Sequence, residues 1–336
     1  AESFQEQKHR WLDRPIHPSL PAITNEVLIF GLVILAAIIT RFFQLEPRVM
    51  SHDESLHTYF SYLLYKNGNY VHSPMMHGPF QFHILALTYY LFGVSDFTAR
   101  IPSVLFSIAT VWMVWYWRRY LGKVGSLIAG FLLVISPYML YYGRYVRNDS
   151  FAGLSGIVML YVMLRYLEAG EKKYLYMLSA ALVLHFTAKE TAFIYAAQAL
   201  LYLLIYFIAR VTRKPWKGHE NDYRTFIISI AIAVLLAGSG LVISLATNKP
   251  ETITATETAS PANPDLGLSP LTAPESGFSI PTTLFGLALV FVIAAAVSLI
   301  LGYSWRAIRA ERSFDLLILM GTLVLPNLTA FAIKLT

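Results

Sequence analysis

The stretch P-F-Q-F-H-I-L-A-L-T-Y-Y-L-F-G-V, residues 79–94, decides how the chain is threaded. It is apolar enough to enter a bilayer, but it is short of the ~20 residues a spanning helix needs. It also carries Gln81 and His83. The runs around it are unambiguous: about 26–43, 100–117, 124–141, 150–167, 174–188, 190–209, 225–247, 281–303 and 314–332. With 56% hydrophobic and only 14% charged residues, the composition excludes an ordinary soluble domain and defines an all-α polytopic membrane protein. Charge settles the short stretch. If 79–94 spans, three basic loops fall outside: Arg118, Arg119 and Lys123; Arg210, Arg213, Lys214, Lys217 and Arg224; Arg306, Arg309 and Arg312. If it lies in the interface, all three share the cytoplasmic side with the basic N-terminus, as the positive-inside rule prefers. The expectation is about nine transmembrane helices plus interfacial helices in the first external loop.

Three regions follow. Residues 1–25 form a cytoplasmic N-terminal segment, and 26–210 a core with a long external loop at 44–99. Residues 211–336 add further helices, with an external loop at 248–280 whose Thr/Pro/Ala-rich part reads as flexible. No small-residue cleavage pattern follows the first apolar run, so it reads as a retained anchor in the cell membrane. Cysteine is absent, which excludes disulfides, thiolate metal sites and cysteine nucleophiles. The net charge of +6 sits in short inter-helix loops, a topology signal that argues against nucleic acid. No internal repeat is visible, which weighs against a transporter.

The threading collects chemistry on one face. Asp53 and Glu54 open a helix in M-S-H-D-E-S-L-H, residues 50–57. Ser51-x-x-Glu54 fits a capping box, with both acids where the helix dipole favours them. Equally, they suit a general base or a cation ligand at the water–lipid boundary. His52, His57, His72, His77 and His83 fall in the same loop. Imidazole with carboxylate suits a divalent metal, yet the spacings match no compact motif. In R-Y-V-R-N-D, residues 144–149, Arg144 and Arg147 either balance Asp149 and snorkel or clamp a phosphate. Lys189-Glu190, between two short helices, is an interfacial ion pair or a site. Trp112, Trp115 and Trp117 read as an aromatic belt.

Taken in order, H-D-E, H-S-P-M-M-H-G-P, L-F-G-V-S-D-F-T-A-R-I-P-S, S-P-Y-M-L-Y-Y-G-R-Y-V-R-N-D and T-A-K-E-T resemble the GT-C superfamily of integral-membrane glycosyltransferases. Within it the chain looks most like the protein O-mannosyltransferase and aminoarabinose-transferase group, in the branch of flippase-activity-associated proteins. The resemblance covers about 26–210. It implies a polyprenyl-phosphate sugar donor and inverting transfer on the external face. Asp53 matches the acid that activates the acceptor, with Glu54 beside it, and Asp149 matches a second acid. Arg144, Arg147 and Lys189 match cations for the lipid phosphate. Some relatives hold a divalent metal and others none; His72 and His77 stand near one such ligand-bearing loop, so the cofactor is left open. Such enzymes continue through more helices or a globular domain, so this chain is expected to be a piece of a longer protein. The alternative implied by its length is a non-catalytic GT-C-derived subunit working with other membrane subunits.

Overall fold

The computed structural model describes residues 11–19, 22–71, 77–247 and 280–333. Among them the chain is helical, and an isolated bridge between Pro15 and Thr24 supplies the extended pairing. His72, the N-terminal residues 1–10 and most of the 248–280 loop lie outside the described residues. The described residues form two compact units, Ala1–Ile205 with Arg312–Thr336, and Tyr206–Glu311.

In the first unit, helix α1 (Asn25–Phe42) starts at Thr24, whose hydroxyl accepts from the Val27 amide at 3.4 Å. Its 18 apolar-rich residues rise about 27 Å, close to the ~30 Å hydrocarbon core. Helix α2 (His52–Asn67) closes on Gly68 at φ +65°, a left-handed cap that a side chain would resist. Helix α3 (Phe80–Phe92) lies within the short apolar stretch 79–94. Its 13 residues rise only about 20 Å, too little to cross. It instead buries Gln81, Phe82, Leu85 and Tyr89 within the unit.

Helix α4 (Asp96–Ile135) carries two expected spans, because Gly122 leaves helical geometry at φ +72°, ψ 171° and kinks the element into two helical segments. The short α5 (Pro137–Tyr142) and a turn lead into α6 (Asp149–Ala169). Then come α7 (Lys172–Ala188) and α8 (Ala192–Val211), whose last residues enter the second unit. Helix α9 (Glu220–Thr247), α10 (Ile280–Leu299), a π turn (Ile300–Ser304) and α11 (Trp305–Ala310) build that second unit. Helix α12 (Arg312–Ile333) returns to the first.

Six described helices are long and apolar enough to cross a membrane, against nine expected spans. Two expected spans lie merged in α4, and α7 with 17 residues falls just short of the length. Together these helices make a multi-pass membrane protein. Leu235, Val242 and Leu245 on α9 are about two-thirds exposed, a surface that suits lipid and not water.

Packing in the first unit is by close interdigitation, since lipid offers no hydrophobic incentive for helices to associate. Leu178, Leu182, Leu203, Leu316 and Met320 interlock at the centre of α6, α7, α8 and α12. Arg41, fully buried near the end of α1, shows how a charge is tolerated there. Its Nε donates to Ser107 Oγ and its Nη2 to the Leu133 carbonyl, each at 2.9 Å.

Candidate active site

The first turn of α2 turns its two acids in different directions, because successive helical residues point about 100° apart. Glu54 is completely buried. Its Oε1 accepts from Arg48 Nη2 at 2.7 Å, Arg100 Nε at 3.2 Å and the Val146 amide at 3.1 Å. Its Oε2 accepts from the Ser51 amide at 3.3 Å, the returning half of the capping box. Arg100, itself without exposed surface, also donates to the carbonyls of Leu45 at 2.6 Å and Arg48 at 2.9 Å. This buried carboxylate therefore ties the start of α2 to the 45–48 connection, to α4 and to the turn before α6. Sequence reading missed Arg48 and Arg100. Arg100 sits inside the quoted T-A-R-I-P-S stretch, and an arginine at the head of an apolar helix was the signal available.

Asp53, by contrast, is partly exposed, with Oδ2 3.2 Å from Arg147 Nη1. Arg147 reaches on to Asp149, its Nε 3.5 Å from Oδ2. Asp149 Oδ1 in turn accepts from Lys189 Nζ at 2.6 Å. Four predicted residues thus form one chain of charges, Asp53–Arg147–Asp149–Lys189, drawn from α2, the 143–148 turn, α6 and the α7–α8 turn. The Arg147–Asp149 contact is electrostatic and not a hydrogen bond. Arg147 Nε and Asp149 Oδ2 are both shielded and unbonded, leaving a donor and an acceptor for another partner.

Arg144 faces elsewhere. Its Nη2 donates to the carbonyls of Phe43 at 2.5 Å and Gln44 at 2.9 Å, closing the C-terminal end of α1. Burial, then the fields of Arg48 and Arg100, holds its guanidinium below the usual range. The chain Asp53–Arg147–Asp149–Lys189 balances two cations against two acids, while Arg48 and Arg100 together pair with Glu54 alone.

His57 lies one turn behind Asp53. Its Nδ1 is 2.7 Å from the Asp53 carbonyl, which can only accept, so Nδ1 carries the proton. The ring stacks on Phe82 at 5.6 Å, and burial lowers its pKa. Neutral His57 therefore presents an unpartnered acceptor at buried Nε2.

His77 pairs with Glu190 at 2.7 Å. The adjoining Gly78 presses its backbone against the end of α7, donating to the Ala188 carbonyl at 3.2 Å. A Cβ there would lie 2.0 Å from the Thr187 carbonyl oxygen, so only glycine allows the approach. Among the described residues no group of three or more His, Asp or Glu side chains converges as a metal site requires. His77 is the described half of the expected pair, and His72 lies outside the described residues.

A cavity of about 240 Å³ opens beside the ion-pair chain, lined by Asp149, Lys189, Ser107, Tyr142 and Tyr195 among others. Gly153 and Tyr195 also line a second, more apolar groove of about 570 Å³ along α6 and α8, with Gly156, Leu160, Met163 and Ala199. Residues 76–241, just under half of the chain, match the family model described as dolichyl-phosphate-mannose-protein mannosyltransferase. On an all-helical multi-pass framework, that match supports a mannosyltransferase-like membrane glycosyltransferase of the GT-C superfamily. Arg144, Arg147, Asp149 and Lys189 fall inside the matched stretch, whereas Asp53 and Glu54 precede it. Comparisons with curated proteins and with solved structures return no match.

Proposed function

We propose that the chain transfers a sugar, with mannose the first candidate, from a polyprenyl-phosphate donor to an acceptor hydroxyl at the external membrane face. The observation that carries this reading is the chain Asp53–Arg147–Asp149–Lys189 beside a cavity that shares Gly153 and Tyr195 with an apolar groove. The roles divide by chemistry. Asp53, the more exposed acid, takes the acceptor proton as the acceptor oxygen attacks the anomeric carbon. The bond from that carbon to the phosphate oxygen breaks, and its electron pair leaves with the lipid phosphate. The configuration inverts because a single displacement occurs.

A phosphate leaving group needs little protonation but gains negative charge, so preorganised cations stabilise the transition state. Lys189 and Arg147 are placed for this, as the phosphodiester becomes a monoester and gains a negative charge. Asp149 holds both cations in position and keeps their charge balanced between turnovers. The apolar groove along α6 and α8 would take the first isoprene units. Glu54 and Arg144 serve as the frame: the first aims the start of α2, and the second fixes the end of α1. Counting the kinked α4 as two crossings and adding α7 and α12 to the other five candidate spans makes nine in this reading, with the N-terminus in the cytoplasm by the placement of basic loops.

The test uses membranes carrying the full chain, supplied with labelled polyprenyl-phosphate mannose. Asp53→Asn should lower label transfer by roughly 10²- to 10⁴-fold, the range for loss of a general base, with donor binding little changed. Full activity in that variant would remove Asp53 from the role of base. A wild-type chain that binds no donor at all would favour a non-catalytic subunit.

A further inference from the structure

The second unit contains a charged cleft that the transferase reading does not use. The loop between α8 and α9, with the last turn of α8, carries Arg210, Arg213, Lys214 and Lys217. These four line a cleft of about 700 Å³ together with Tyr303 and Glu311. That volume falls in the ~300–1,000 Å³ range of small-molecule sites. Glu311 is already engaged, by Arg210 Nε at 3.4 Å and by the Tyr303 hydroxyl at 3.0 Å. The nearby Asp222 is held by His219 at 2.9 Å. Arg213, Lys214 and Lys217 have no carboxylate partner among the described residues.

The frame of this cleft is rigid. Trp216 is buried, donates its indole N–H to the Val211 carbonyl at 2.9 Å, and packs against Tyr223, Phe226 and Tyr303. The Tyr223 hydroxyl pins the loop by donating to the Thr212 carbonyl at 3.1 Å. Gly302 admits the indole, since a Cβ there would sit 2.3 Å from its ring. The wall at Ile300–Ser304 is a π turn ending in Ser304 at φ +75°, a conformation a non-glycine residue adopts only when its surroundings hold it. A topology signal requires only positive charge in a loop. Here the charge is held around a preformed cavity with an aromatic floor, where helices of spanning length reach their ends.

We propose that this cleft binds a phosphate-bearing anion. Three uncompensated cations call for an anion of high charge density, and arginine grips phosphate oxygens through paired N–H groups. The source is the headgroup of an anionic phospholipid or a soluble phosphate ester; basic pockets between membrane helices suit the former. The proposal stands independently of the transferase reading.

The full chain, purified in detergent, would be titrated separately with short-chain phosphatidylglycerol, phosphatidylcholine of equal chain length, and inorganic phosphate. Retained adducts in native mass spectrometry and thermal shifts would report binding. Saturable phosphatidylglycerol binding is expected, weakened about 100-fold in Arg213→Gln/Lys214→Gln/Lys217→Gln at about fivefold per lost charge. The charge-matched control Lys66→Gln/Lys172→Gln/Lys173→Gln should bind as the parent does. Should the triple variant fail to fold, Lys214→Gln alone should lose about fivefold. Saturable binding of inorganic phosphate with the same sensitivity would support the site with a soluble ligand as its source. Equal losses in both triple variants, equal binding of phosphatidylcholine, or no saturable binding of either anion would overturn it.

Discussion

Glu54→Gln is the substitution whose consequence the geometry specifies most fully. It keeps the shape of a side chain with no exposed surface and removes its charge. Two guanidiniums lose their counter-ion, but not equally. The Arg48 side chain is 35% exposed and can turn toward water, whereas Arg100 has no exposed surface and cannot. Leaving one buried charge uncompensated costs about 3–5 kcal/mol. The new amide also sets an N–H donor against the Ser51 amide or a guanidinium, so part of the hydrogen bonding is lost as well. A thermal midpoint in detergent should fall on the order of 10 °C. A simple helix cap would lose only about 1 kcal/mol. The discriminating assay is a double-mutant cycle with Arg100→Met. Since removing both partners of a buried pair is often nearly neutral, Glu54→Gln/Arg100→Met should be less destabilised than the sum of the single variants. A drop of about 2 °C or less for Glu54→Gln, or strict additivity in the cycle, would refute the reasoning.

Lys189→Gln removes a charge-assisted bond of roughly 1.5–3 kcal/mol, so the donor KM in the transfer assay should rise roughly 10- to 100-fold. Gly78→Ala forces a Cβ to 2.0 Å from the Thr187 carbonyl; overpacking of this kind costs roughly 1–3 kcal/mol, and exchange of the residue-78 amide, which donates to the Ala188 carbonyl, should accelerate. Burial lowers the His57 pKa below the ordinary 6.5, so the unfolded chain binds the proton more readily than the folded one. Stability is therefore full above pH 6.5 and declines as the pH falls below it, and thermal scans between pH 7 and 5 should show a shallower decline for His57→Gln.

Much of the architecture was legible in one dimension. Apolar length and the placement of basic loops demoted residues 79–94 from a span, and α3 with its 13 residues bears that out. Ser51-x-x-Glu54 announced the start of α2 through a local pairing that a sequence pattern carries well. The count of crossing helices was less legible. The break expected between 100–117 and 124–141 falls at Gly122, whose non-helical backbone kinks α4 into two segments, but α7 is one residue short of a clear span. The division of labour among neighbouring charges was not legible at all. Asp53 and Glu54 are adjacent, and both fit a cap or a base until Arg100, 46 positions away, takes one of them into the interior.

By itself the sequence determined which segments are helical, that the protein is multi-pass, and which acids and cations bound a possible site. Those properties follow from hydropathy, capping and charge placement, each decided within a few residues. Only the tertiary structure decided that Arg147 and Lys189 meet Asp53 and Asp149 while Arg144 turns back to the end of α1. Arg144 and Arg147 leave a non-helical turn with no periodicity to set their directions. Each is aimed by the carbonyl or carboxylate that an element distant in sequence brings within reach.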